Sequence, residues 1–154
     1  MTSKKYLTNA KFASSIRIGV GLLIYKAEKL LLEKRKDCGK WGLIGGGVDI
    51  GETVEDTAIR ECIEETSIKL EKENLRFFGL YSDIEQHRII QYRDNCFHAI
   101  DVIYTYQIKE KNLNLKKSHE STDIDFFSIT SLPKNIVPPA KDPINDFIQA
   151  RFRL

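Results

Sequence analysis

The stretch from Gly46 to Ile68, GGVDIGETVEDTAIRECIEETSI, constrains this chain more than any other part of it, because a glycine turn, a helix cap and an Arg-Glu-x-x-Glu-Glu cluster stand at set intervals. Thr53 followed by Asp56 reads as a capping box, so a helix is expected to begin near Thr53 and run to about Thr66. At ~100° per residue, Glu61, Glu64 and Glu65 share roughly a third of the circumference, and Ala58, Ile59, Cys62 and Ile63 take a neighbouring arc. A helix of this kind lays its apolar stripe on a sheet and turns its carboxylates toward a cleft.

Carboxylates gathered in a cleft repel one another, which raises their pKa values unless a cation neutralises them. Oxygen ligands without accompanying histidine or cysteine suit Mg²⁺, which commonly bridges to substrate phosphates, better than zinc. An acidic helix face alone is more often simply solvated. Gly45, Gly46 and Gly47 change that balance, since a flexible glycine turn after the apolar stretch Trp41 to Ile44 can approach a phosphate or offer a carbonyl to a metal.

In Gly46, Glu52, Arg60, Glu61, Cys62, Glu64, Glu65, Ser67 and Ile68 the segment resembles the signature of the Nudix hydrolase family, the MutT-like pyrophosphohydrolases. Cys62 replaces a larger aliphatic residue, a mild change for a small hydrophobe. Ser67 replaces a glycine just past the helix end, where a left-handed backbone costs serine on the order of 1 kcal/mol. Ile44 stands where many relatives carry proline.

The resemblance implies an α/β/α sandwich with a mixed sheet between helices. It implies that Glu61, Glu64 and Glu65 hold Mg²⁺ or Mn²⁺, with the Gly45 carbonyl as a further ligand, and that Glu52 and Arg60 pair to brace the loop that starts at Gly46. Glu120, shortly before Phe126-Phe127, matches a later acidic residue that reaches the metals in this family, and either Glu65 or Glu120 is the general base. Arg35 matches a phosphate-binding arginine, with Lys34 and Lys36 as substitutes.

A chain of 154 residues with 42% hydrophobic content accommodates one packed core, so a single domain over 1–154 is expected. A net charge of +2, with the one dense charge cluster acidic, disfavours nucleic acid as a partner. Three cysteines in no paired spacing, no secretory leader and no apolar run of spanning length point to the reducing cytoplasm and away from membranes.

Around the signature, Ser15 to Tyr25 and Lys29 to Glu33 read as strands meeting at Lys26-Ala27-Glu28, and Met1 to Ala13 as a loose arm or an edge strand. Leu75 to Asp83, Cys96 to Ile108 and Asp123 to Ile129 read as further strands, with HRIIQYRDN as a hairpin arm turning at Asp94-Asn95. Asp142 and Pro143 suit the cap and first turn of a helix running toward Phe152, with Pro138-Pro139 leading into it.

The reaction implied is hydrolysis of a pyrophosphate bond in a nucleoside diphosphate linked to another group, in which positioning and charge neutralisation supply most of the rate. The segment VPPAKDPI resembles the nucleoside-triphosphate-cleaning branch, with Lys141 or Asp142 as base contacts, which favours a triphosphate or modified nucleotide over ADP-ribose or a nucleotide sugar. Trp41, Tyr81 and Phe97 are candidates for stacking on a base, and His87, His98 and His119 lack metal-ligand spacing. A sensor that binds a nucleotide without cutting it, or an isoprenoid diphosphate isomerase, are the readings of other classes. Many members of the family pair into homodimers.

Overall fold

Along Ser15–Lys26 the buried side chains alternate between two layers: Val20, Leu22 and Ile24 enter one core, Leu23 and Tyr25 the other. A strand apolar on both faces has to lie inside a sheet that is covered twice. The computed structural model, which describes residues 3–152, puts it there.

The strands are β1 (Lys5–Leu7), β2 (Ser15–Lys26), β3 (Lys29–Arg35), β4 (Trp41–Gly42), β5 (Ile44–Gly47), β6 (Arg76–Tyr81), β7 (Ile89–Tyr92), β8 (Asn95–Gln107) and β9 (Ser121–Ser128). They form one sheet in the order β1-β7-β8-β2-β3-β4, with β5 also on β2, β6 on β8 and β9 on β3. β2 and β8 run parallel from Ser15 opposite Phe97 to Tyr25 opposite Gln107, while the other pairings are antiparallel, so the sheet is mixed as expected.

Helix α1 (Val54–Thr66) covers one face, packing Ala58 and Cys62 on Val20, Leu22, Ile24 and Leu31. Helix α2 (Pro138–Phe152) covers the other with Ala140, Ile144, Phe147 and Ile148 against Leu23, Tyr25, Leu30 and Leu32. The α/β/α sandwich is therefore the observed architecture. No helix among the described residues is long and apolar enough to cross a membrane.

Four local readings need correction. Gly45 to Gly47 is not a free turn but part of β5, paired in register with Gly21, Val20 and Gly19. The sheet supplies the pairing that a glycine-rich composition does not advertise. The β7–β8 hairpin turns at Arg93-Asp94, one residue early, with Arg93 at φ +57°. On α1, Ile63 is exposed and Glu65 buried, so the inward arc is Ala58, Cys62, Glu65 and Thr66.

The last correction concerns α2, which starts at Pro138 and carries Pro143 inside it. Proline has no N–H to give the carbonyl four residues back. That carbonyl belongs to Pro139, and the Arg88 guanidinium donates to it from Nη1 at 2.8 Å. A helix interior proline is thus accommodated by a side chain from the far side of the fold. The amino-terminal arm resolves as an edge strand, since Lys5–Leu7 pairs with Ile89–Gln91; Met1 and Thr2 lie outside the described residues.

Candidate active site

Helix α1 starts where the cap predicts. The Thr53 hydroxyl accepts from the Asp56 amide at 3.1 Å, and the chain leaves the helix at Ser67 with φ +65° and ψ 14°. Between these ends the register aims Glu61 and Glu65 at β5. Gly46 leaves room for that contact, because a Cβ there would displace the Glu61 carboxylate. Gly45, at φ +156°, brings its amide to Glu65 Oε2 at 3.2 Å, and a Cβ on it would run into the Val20 carbonyl.

Arg60 fastens the loop after β5 to the helix. Its Nε and Nη2 donate to the two Glu52 oxygens at 2.6 and 2.9 Å, and Nη2 also reaches the Gly47 carbonyl at 3.1 Å. Glu52 accepts in addition from the Asp49 amide and the Thr57 hydroxyl. The Arg60 hydrogen bonds hold the Glu52 carboxyl down at about 2. Nη1 goes further than bracing and donates to Glu61 at 2.9 Å and to Glu64 at 3.3 Å. One guanidinium therefore sets the direction of two of the signature carboxylates.

A residue that the sequence reading left as an ordinary strand end joins this cluster. Glu33, on β3, is 6% exposed, accepts from the Ser121 hydroxyl at 2.9 Å and lies within hydrogen-bonding reach of Glu65, which is itself 8% exposed. Its signal was strand alternation: Glu33 follows Leu31 by two and so shares the inward face of β3. Burial pushes Glu65 well up, and the Glu33 charge beside it adds to the shift; burial also raises Glu33 and Glu61.

Glu64 is exposed at the rim. Among the described residues no three such side chains converge on one point, so Glu33, Glu65 and Glu61 form a row rather than a closed cage. The row is oxygen-only, half-buried to buried, and short of counter-charge on its inner side. That donor set fits a hard divalent cation.

Glu120 sits in the turn before β9, whose carbonyl accepts from the Lys36 amide at 2.9 Å. It lines a hollow of about 390 Å³ with Lys4, Arg35, Lys36, Asp37 and His119, and its charge adds to the upward shift of Glu33. Arg35 is gripped by Asp37 through two bonds of 3.0 Å. The cationic hollow and the carboxylate row thus meet across β3.

Lys141 stands on the exposed side of α2 and does not line the cleft, whereas Pro139 and Ala140 beside it do. Helix α2 begins at Pro138, and this turns Ala140 and Ile144 inward and Lys141 out. Of the three aromatics, Trp41 packs edge-on against Phe127, and the Tyr81 hydroxyl donates to Asp146 at 2.7 Å. Phe97 carries Arg17 over its ring.

The chain is similar to several known proteins. An ADP-ribose pyrophosphatase of Methanocaldococcus jannaschii is 32% identical over 120 residues, 76% of this chain and 64% of that protein. A nucleoside triphosphatase NudI of an Enterobacter species is 32% identical over 95 residues, 61% of this chain and 65% of that protein. Both matches span just under two thirds of the relative. The crystal structure of a MutT NUDIX hydrolase from Burkholderia pseudomallei superposes with a TM-score of 0.71 at 24% identity, covering 86% of this chain and 98% of the other, a likeness of fold. The model of the NUDIX domain matches residues 15–147, from the start of β2 into α2. A match of that extent takes in the central sheet and the carboxylate helix that covers one of its faces, and the chain belongs to the NUDIX domain family.

Proposed function

We propose that this chain is a divalent-cation-dependent pyrophosphohydrolase acting on a nucleoside diphosphate linked to another group, with a nucleoside triphosphate or modified nucleotide as the favoured substrate. The observation that carries the reading is the carboxylate row of Glu33, Glu65 and Glu61, held against a glycine strand by Arg60 and Glu52 beside a cationic hollow. In this reading Glu61, Glu64, Glu65 and Glu120, with the Gly45 carbonyl, hold Mg²⁺ or Mn²⁺. When bound, such a cation supplies charge neutralisation at the phosphoryl group and lowers the pKa of water.

The chain's own residues do the positioning. Lys36 and Arg35, with Lys4 beside them, give the polyphosphate a cationic seat, and Asp37 holds Arg35 in place through two hydrogen bonds. Arg60 aims Glu61 and Glu64 while Glu52 anchors Arg60 in turn. The base that accepts the proton of the attacking water is Glu65 or Glu120: Glu65 is the more buried, Glu120 the more accessible. The name of the M. jannaschii relative supports ADP-ribose as the second substrate reading, and that of the NudI relative supports a triphosphate.

The test is a phosphate-release screen with Mg²⁺ against nucleoside triphosphates, ADP-ribose, nucleotide sugars and dinucleoside polyphosphates, with a chelated control and Glu64→Gln as the blank. Glu64→Gln is expected to lower turnover at least ~100-fold, about 2.7 kcal/mol of barrier, with unchanged circular dichroism. Near-full activity in that variant overturns the metal assignment, and no hydrolysis of any substrate overturns the enzyme reading in favour of a sensor.

A further inference from the structure

Beside the carboxylate row, on the α2 side of the sheet, lies a cavity of about 160 Å³ whose lining includes Arg88, Asp101, Gly21, Gly45, Ile103 and Val137. Arg88 is 1% exposed, and its Nε and Nη2 have no hydrogen-bond acceptor among the described residues. Nη1 is anchored on the Pro139 carbonyl, so the guanidinium cannot swing away to find one. Asp101 Oδ2 stands 3.5 Å from Nε, an ion pair too long for a good hydrogen bond. Buried charged donors left without acceptors are expensive, and here they line a cavity that borders the active site.

Two glycines set where Asp101 and Ile103 stand. Gly19 and Gly21 on β2 stand in register with Asp101 and Ile103 on β8, and a Cβ on Gly21 would sit 2.7 Å from the Ile103 Cδ1. A Cβ on Gly19 would sit 2.5 Å from Asp101 Oδ1, so both glycines leave room for the side chains opposite them. Ile103 and Val137 supply apolar walls. Lys4 and Arg35 also line the cavity, and Asp101 disfavours a phosphate next to Arg88 itself.

We propose that Arg88 and Asp101 read the base of the substrate and select a 6-oxopurine, a specificity that rests on the nucleotide-hydrolase reading above. The order of groups along the site is donor, donor, acceptor: Nη2, Nε and the Asp101 carboxylate. Guanine and hypoxanthine present the complement, acceptor, acceptor, donor, in N7, O6 and N1–H, and a bidentate Arg contact to O6 and N7 is the commonest way proteins read guanine. Adenine has an amino group in place of O6 and an acceptor in place of N1–H, so two of three positions clash. Cytosine offers an amino donor to Nε. Oxidation of guanine at C8 turns N7 into N–H, which sets a donor against Nη2.

The test is calorimetric titration of the full chain, in chelator, with GMP, IMP, AMP, CMP and 8-oxo-GMP, so that neither hydrolysis nor metal enters. GMP and IMP are expected to bind at least ~10-fold tighter than the other three, about 1.4 kcal/mol. Asp101→Asn, of the same shape, is expected to erase at least that preference, and Arg88→Lys serves as the second variant with circular dichroism as the folding check. Equal binding of all five, tighter binding of AMP or 8-oxo-GMP, no binding at all, or an Asp101→Asn variant that keeps the wild-type preference overturns the proposal. Selective GMP binding in a chain that hydrolyses nothing with Mg²⁺ would sink the hydrolase reading and leave the base-reading pair; hydrolysis indifferent to the base would do the reverse.

Discussion

Ser67→Gly is expected to stabilise the protein. Ser67 closes α1 in the left-handed region, φ +65° and ψ 14°, where its amide donates to the Ile63 carbonyl at 2.9 Å. A side chain there sits too close to the following carbonyl, at a cost of about 1–2 kcal/mol. Glycine removes that cost but gains freedom in the unfolded chain, which takes back about 0.4–1 kcal/mol. Ser67 is exposed and its hydroxyl makes no hydrogen bond among the described residues, so nothing else is lost. At the midpoints of these ranges the net gain is about 0.8 kcal/mol, and at about 2–4 °C per kcal/mol for a chain of this length the melting temperature rises by about 2–3 °C. Reversible urea unfolding is the assay, with an unchanged slope and a midpoint moved to higher urea. A midpoint that stays or falls refutes the reasoning. Ala27→Gly, at φ +52° in the β2–β3 turn, should move the midpoint the same way for the same reason.

Gly46→Ala places a methyl group on the Glu61 carboxylate and is expected to lower turnover at least ~10-fold, about 1.4 kcal/mol of barrier, with weaker Mn²⁺ binding read by electron paramagnetic resonance and little change in circular dichroism. Burial pushes the Cys62 thiol up to about 12, above its ordinary value, so at pH 8 the folded protein holds it protonated and enclosed. A thiol-reactive chromophore should therefore modify Cys38 quickly in the native protein and reach Cys62 only on unfolding; rapid native labelling of Cys62 would contradict the packing of α1.

Residues close in sequence made the site legible where one helix carries the information. Thr53, Asp56 and Ser67 mark the ends of α1, and Glu52 and Arg60 pair as the family resemblance implies, over only eight residues of helix and turn. The sandwich likewise matches what the family resemblance implies. Legibility fails where partners are distant. Glu33 meets Glu65 only through the stacking of β3 near β5, and Arg88 finds Pro139 across 51 residues. Pro143 misled the reading of α2 for the same reason: a helix is expected to begin at such a proline unless something outside the helix takes the freed carbonyl, and Arg88 does so. Gly45 to Gly47 looked like a turn because glycine has little strand propensity, yet the close approach of Glu61 and Glu65 to the backbone requires it inside a strand.

The parallel ladder of β2 on β8 has a consequence for how the molecule is made. Its strands join chain segments some eighty residues apart, a pairing that is slow to find because loop closure must precede any reward. On a ribosome α1 emerges well before Gln107, and at about 5–20 residues per second the wait lasts roughly 2–8 s. During that interval Ala58 and Cys62 have no completed sheet to cover them. The nascent chain is then most open to capture by chaperones, and slowing synthesis between α1 and β8 should lengthen that exposure.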